Sequence, residues 1–211
     1  SALLLSLSIP KADLSFLAWV ALVPLMLSLD GKSARTSFLL AYFCGVIFFF
    51  LTLYWFIFVT ALGAGLLFIY FSLYFGLFGL GYFWFSRRGF WTRLFLVPAL
   101  WVTLEYARAH LFSGFGWVSL GYSQYQNLSL IQIADVTGVY GVSFLIVMVN
   151  VFFKEAALSL RGASYSASKK ELAGAFLITA ALIGLSLGYG LFRSSQYASL
   201  DRYQKPSIKV G

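Results

Sequence analysis

Long apolar runs, each closed by a short polar stretch, set the pattern of this chain. Six of them extend roughly from Leu14 to Leu29, Ser37 to Val59, Leu62 to Phe85, Leu94 to His110, Leu128 to Phe153 and Leu172 to Phe192. A helix rises about 1.5 Å per residue and the hydrocarbon of a bilayer is about 30 Å thick, so about 20 mostly apolar residues suffice to cross it. Each run is therefore predicted to be a spanning helix. A shorter piece, Ala2 to Ile9, stops at Pro10 and reads as the last turns of a further helix. The pattern predicts an all-α fold, a polytopic integral membrane bundle of about seven transmembrane helices with the first one incomplete.

Charge gives this bundle a direction. Lys32 and Arg35 follow the second predicted helix, Arg87, Arg88 and Arg93 follow the fourth, and Lys154, Arg161, Lys169 and Lys170 follow the sixth. The alternate short loops hold Lys11 alone. Basic residues flanking helix ends are retained in the cytoplasm, so the three basic loops are expected there. Arg193 to Gly211 is then expected on the outer face. The net charge of +8 follows from these loops lying beside anionic headgroups, and a nucleic-acid partner is not called for.

Composition agrees, with 61% hydrophobic and 10% charged residues against roughly 25% charged in soluble domains. Trp and Tyr gather near helix ends, as at Tyr54 and Trp55, Tyr82 and Trp84, and Trp91, where rings with an apolar body and a polar tip suit the interface. Gly63, Gly65, Gly76, Gly79 and Gly81 in the fourth predicted helix point to close helix approach. The single cysteine, Cys44, has neither a disulfide partner nor a neighbouring His or Lys in sequence and reads as a packing residue. No metal site and no cofactor are expected.

From Pro98 to Gln124 the chain reads PALWVTLEYARAHLFSGFGWVSLGYSQ. Glu105 and Arg108 stand three apart on one helix face, at a depth where charge is costly and where such groups pair or face a polar cavity. Both roles, an intrahelical pair and a substrate cavity, are open. Leu111 to Asn127 carries no charge, yet Ser113, Gly114, Gly116, Trp117, Gly121, Tyr122, Ser123 and Gln124 make it too polar and glycine-rich to span. An interfacial or re-entrant segment on the outer face is predicted, since irregular backbone at membrane depth must be satisfied by protein or water. Asp135 is expected to serve as a charge partner for a helix N-terminus.

Pro98, Ala99, Leu100 and Trp101, then Glu105 and Arg108, then Gly114, Phe115 and Trp117, then Gly121 to Gln124 resemble the membrane domain of bacterial apolipoprotein N-acyltransferases. Gln132, Ile133, Ala134 and Asp135, followed by Gly138 to Phe144, extend the resemblance, and Trp19 to Leu25 is similar more weakly. Gly116 departs from it, standing where the family usually has proline, and loosens the loop locally. The resemblance implies acyl transfer from a phospholipid donor to the N-terminal amine of a diacylglyceryl-cysteine lipoprotein acceptor, in the bacterial cytoplasmic (inner) membrane. It implies no catalytic residue in this chain, because the family's Glu, Lys, Cys triad belongs to a nitrilase-like domain on the outer face. Residues 1–192 are expected to form the transmembrane domain and 193–211 an outer-face linker, with Ile208 to Gly211 looking like the first strand of that further domain. The implied substrate-positioning residues are Glu105, Arg108, Trp117, Tyr122 and Gln124, with membrane lipids as the surrounding partners. A different class of function stays open: the membrane anchor and partner-binding domain of a polyprenol-phosphate mannose synthase.

Overall fold

A computed structural model describes residues 1–10, 12–111, 114–163 and 167–203, with side chains up to residue 196. Lys11, Ser113 and the run Ile208 to Gly211, on which expectations above rest, lie outside the described residues. The described chain is all-α. Its helices are α1 (Ala2–Ser8), α2 (Val23–Leu29), α3 (Ala34–Leu53), α4 (Ala61–Phe85), α5 (Phe90–His110), α6 (Leu128–Ile131), α7 (Ala134–Thr137), α8 (Val139–Leu160) and α9 (Lys169–Tyr203). Three 3-10 turns, Ser15–Trp19, Tyr54–Phe58 and Leu120–Gln124, connect them.

Four stretches are long and apolar enough to cross a membrane: Ala34–Phe58, Ala61–Phe85, Val139–Leu160 and Lys169–Gln196. With 21 residues α5 is also long enough, but it carries Arg93, Glu105 and Arg108 and turns all three inward. The outward faces of α3, α4 and α9 present Phe43, Ile47, Leu66, Ile69, Leu177 and Leu185. A bundle that is apolar both inside and outside suits a lipid solvent.

The predicted helix from Leu14 to Leu29 is instead a 3-10 turn followed by the short α2. Pro24 stands in the first turn of α2, where it lacks the N–H and the space that a continuing helix would need. The irregular backbone before it is satisfied from α8. Asn150, fully buried, accepts from the Leu22 N–H at 2.8 Å and donates to the Ala18 carbonyl at 2.9 Å. The predicted helix from Leu128 to Phe153 is likewise broken, at Gly138, whose φ of +64° is the left-handed conformation that glycine adopts without penalty. The spanning part, α8, begins after it. Where α3 and α4 cross, a Cβ at Gly79 would strike the Ser37 carbonyl, so the two helices touch backbone to side face.

Asp30, Tyr82, Arg93, Lys154 and Glu155 meet, and this places the turns after α2, α4 and α8 at one end of the bundle. The predicted clustering of the basic loops is thus a clustering in space. Trp55, Trp117 and Tyr122 meet at the other end. The helix α9 continues past residue 192 to Tyr203.

Candidate functional site

The segment after α5 is irregular, and α5 holds it in place. Glu105 and Arg108 lie on the inward face of that helix, each 5% exposed. They do not form an ion pair with each other. Glu105 Oε1 accepts from the Trp101 indole N–H at 3.0 Å and from the Leu120 backbone N–H at 2.7 Å. Arg108 donates from Nη1 to the Trp117 carbonyl at 2.7 Å, and its guanidinium stands 5.5 Å from the centre of the Phe49 ring. The Phe115 N–H returns to the Arg108 carbonyl at 3.0 Å.

Between these anchors sits Val118, with φ of +53°. A β-branched residue in that region is strained, by about 1–3 kcal/mol, and persists only where the surroundings over-determine it. Here the carbonyl before it is held by Arg108 and the N–H two residues on by Glu105, so the two charges impose the bend. Further along, the Gly121 N–H donates to Ser143 Oγ at 2.9 Å, and a Cβ at Gly121 would come within 2.6 Å of the Val139 carbonyl oxygen. The segment is therefore pinned to α8 as well as to α5.

The bend turns Trp117 outward. Its ring, 53% exposed, stacks on Trp55 at 5.6 Å between centroids and 28° between planes. Phe56 and Phe115 border it at 6.1 and 5.4 Å. Beside these rings opens a cleft of about 470 Å³, lined by Ile9, Pro10, Thr52, Leu53, Trp55, Trp117, Val118, Tyr122 and Tyr125. Tyr122 is exposed on its wall. An internal cavity of about 30 Å³ lies deeper, sharing Ile9 and Val118 with the cleft and adding Glu105, Arg108, Trp101 and Phe49. The Glu105 Oε2 atom is buried there without a hydrogen-bond partner among the described residues.

Gln124 has a different place from the one its position in the motif suggests. It is 2% exposed and donates to the Ser15 carbonyl at 2.9 Å and to Ser123 Oγ at 3.0 Å. Its amide ties the segment after α5 to the turn before α2 and stays off the cleft lining. Asp135 lies in the first turn of α7, as anticipated for a helix N-terminus, and also pairs with Arg193 at 3.0 Å. Cys44 lies within α3, partly buried. The five residues singled out from sequence thus fall into two sets: Trp117 and Tyr122 line the cleft, while Glu105, Arg108 and Gln124 brace its wall.

Sequence reasoning missed the charged cluster at the opposite end. Arg93 clasps Glu155 with two bonds, Nε to Oε1 at 2.8 Å and Nη2 to Oε2 at 2.9 Å. Lys154 bridges Glu155 at 3.1 Å and Asp30 at 2.9 Å, and Tyr82 donates to Asp30 at 2.8 Å. Arg93 and Lys154, expected in loops, lie within α5 and α8, buried and paired. The signal available was Glu155 beside Lys154 at the end of an otherwise apolar run, a charge that burial obliges to pair.

Residues 1–152 match the family described as the apolipoprotein N-acyltransferase N-terminal domain. Among curated proteins, the chain is 44% identical over 162 residues to the apolipoprotein N-acyltransferase of Geobacter metallireducens, covering 72% of this chain and 31% of that protein. It is 35% identical over 156 residues to the protein of the same name from Chlorobaculum tepidum, covering 72% of this chain and 29% of the relative. With that of Shewanella oneidensis the identity is 42% over 87 residues, or 40% of this chain and 17% of the relative. The matched region is thus about a third of the length of the first two relatives.

Proposed function

This chain belongs to the apolipoprotein N-acyltransferase family through its N-terminal membrane domain, and on that basis we propose that it holds and positions lipid substrates for N-acylation of lipoproteins. The donor is a phospholipid and the acceptor the N-terminal amine of a diacylglyceryl-cysteine. The reading is preferred to a mannose-synthase anchor because the matching family and relatives carry the acyltransferase name. The observation that carries it is the aromatic cleft of about 470 Å³ at the end opposite the basic loops. Aromatic walls take acyl chains, and the Tyr122 hydroxyl offers a hydrogen bond to an ester or headgroup, whereas that of Tyr125 is engaged by Asp13 and Gln126.

Within the cleft Trp117 and Tyr122 contact lipid, while Glu105, Arg108 and Gln124 are positioning residues that fix its wall. The acyl-transfer chemistry belongs to a catalytic domain outside the residues described. Cys44 is not assigned as its nucleophile, since it lies partly buried within the apolar helix α3 and does not line the cleft.

The test uses the full-length enzyme. Trp117→Ala and Tyr122→Ala should each lower acyl transfer per folded molecule about tenfold, with little change in thermal midpoint. Trp84→Ala, an equally exposed tryptophan at the basic end, should leave turnover unchanged. Equal behaviour of all three would remove the cleft from the account. Orientation in the inner membrane, with the cleft on the outer face and the basic loops cytoplasmic, rests on the charge asymmetry. In a Cys44→Ser background, Gln126→Cys should react with an impermeant thiol reagent in intact cells and Arg161→Cys should not. The opposite labelling would invert the topology.

A further inference from the structure

At the basic end the turn between α2 and α3 and the turn between α4 and α5 stand apart and enclose a cleft of about 480 Å³. Its lining carries five cations and one carboxylate. Two of the cations, Arg93 and Lys154, are neutralised by Glu155 and Asp30. Three remain: Lys32, Arg87 and Arg88, all exposed and in no ion pair among the described residues.

Gly89, the residue from which α5 starts, lines this cleft together with Arg93 of the helix's first turn. The helix starts at Gly89 with no side chain capping its first N–H groups, and an added Cβ at Gly89 would meet nothing within 4 Å. An open, uncapped helix N-terminus, with its amide hydrogens and the positive end of the helix dipole, attracts anions. The turn that carries it is held from α8 through Arg93. Arg93 donates from Nη1 to the Arg88 carbonyl at 2.7 Å while Glu155 clasps the same guanidinium. On the facing side, Lys154 and Tyr82 hold the Asp30 carboxylate and thereby the turn that carries Lys32. The buried ion network is thus the frame of a preformed site whose free charge is entirely positive.

We propose that this cleft binds the phosphate of an anionic phospholipid headgroup, from the leaflet that faces the basic end. The phosphate would lie over the N-terminus of α5 between Arg87, Arg88 and Lys32. Lipid is the source favoured over a free phosphate because Trp84 and Trp91, 59% and 41% exposed on either side of the same turn, mark it as lying at headgroup depth. A cleft of this size also exceeds what inorganic phosphate would fill. The site is independent of the acyl-donor cleft at the opposite end.

The test is native mass spectrometry of the full-length protein in detergent, titrated with phosphatidylglycerol and with zwitterionic phosphatidylethanolamine. The wild type should retain phosphatidylglycerol preferentially. Each of Lys32→Gln, Arg87→Gln and Arg88→Gln should weaken that retention about fivefold, the expectation for one basic residue at a charged membrane surface. The double variant Arg161→Gln/Lys169→Gln removes charge from the same end but outside the cleft and should leave retention unchanged. No preference in the wild type, or equal losses in the two sets, would overturn the site in favour of a diffuse field. Displacement of the lipid by millimolar inorganic phosphate would overturn the lipid as its ligand.

Discussion

The two ends of the bundle both bury charge, and they use it differently. At the basic end, Arg93, Lys154, Glu155 and Asp30 bind one another, and charge locks helix to helix. At the aromatic end, Glu105 and Arg108 do not meet; each reaches instead into the backbone of the segment that follows, on either side of the strained Val118. The first arrangement yields a rigid frame of regular helices. The second holds an irregular stretch whose backbone groups must be satisfied by protein, and leaves the ring of Trp117 exposed beside the half-buried Trp55. An ion pair closes a structure, whereas a charge bonded to backbone keeps a shaped opening. The lipid-handling role proposed for the aromatic end depends on that contrast.

The strongest way to break the comparison is at Glu155. Glu155→Ala leaves the Arg93 guanidinium buried, with the Arg88 carbonyl as its remaining hydrogen-bond acceptor. Removing one partner of a buried pair costs about 3–5 kcal/mol, so the thermal midpoint of the purified protein should fall by more than for any other single change named here. The double variant Arg93→Met/Glu155→Leu should recover much of that loss, because an apolar pair of similar volume leaves no orphaned charge. If the single variant melts like wild type, the basic end is not a lock.

A smaller effect of a different kind is expected from Glu105→Ala. It strands the Trp101 indole N–H and the Leu120 N–H, and each orphaned buried donor costs about 1–3 kcal/mol. Release of the strain at Val118 offsets part of this. The loss should therefore show in the segment more than in the global midpoint: faster hydrogen exchange at the Leu120 amide, and acyl transfer by the full-length enzyme lowered about tenfold. Glu105→Gln keeps an acceptor at the Oε1 position and should retain most activity. Equal loss in both variants would mean that the negative charge itself is needed, and the bracing account would have to be replaced by a role in binding substrate.

Much of this fold was legible because membrane helices announce themselves by length and apolar content, and the alternation of basic loops followed from retention of positive charge. Boundaries failed where a local rule outweighed apolarity: Pro24 denies α2 a long start, and Gly138 in its left-handed conformation separates α7 from α8. Neither is visible in a run of hydrophobic letters. The resemblance drew attention to the segment that borders the cleft, and side-chain direction sorted its residues. Gln124 reads as a polar group ready for a ligand, yet its amide is consumed by Ser15 and Ser123. Asn150 is one polar residue in an apolar run, yet its buried amide satisfies two backbone groups of the irregular stretch before α2. Such partners come from residues more than a hundred positions away, and no periodicity encodes them.

The sharpest refinement comes from the mildest change. Asp135 and Arg193 repeat the chemistry of Glu155 and Arg93, a carboxylate and a guanidinium about 3.0 Å apart, but with side chains 39% and 31% exposed rather than 1% and 10%. An exposed pair gains little, about 0–1 kcal/mol, because water screens the attraction and holding two side chains costs entropy. Arg193 also keeps its bond to Gln196 at 3.1 Å when Asp135 is changed. Asp135→Asn should therefore shift the thermal midpoint barely or not at all, and raising the salt concentration should erase whatever shift exists, while the effect of Glu155→Ala should persist in high salt. If instead Asp135→Asn destabilised the protein as strongly as Glu155→Ala, burial would not be what distinguishes the two pairs. The contrast between the ends would then have to rest on the local bonding of each charge alone.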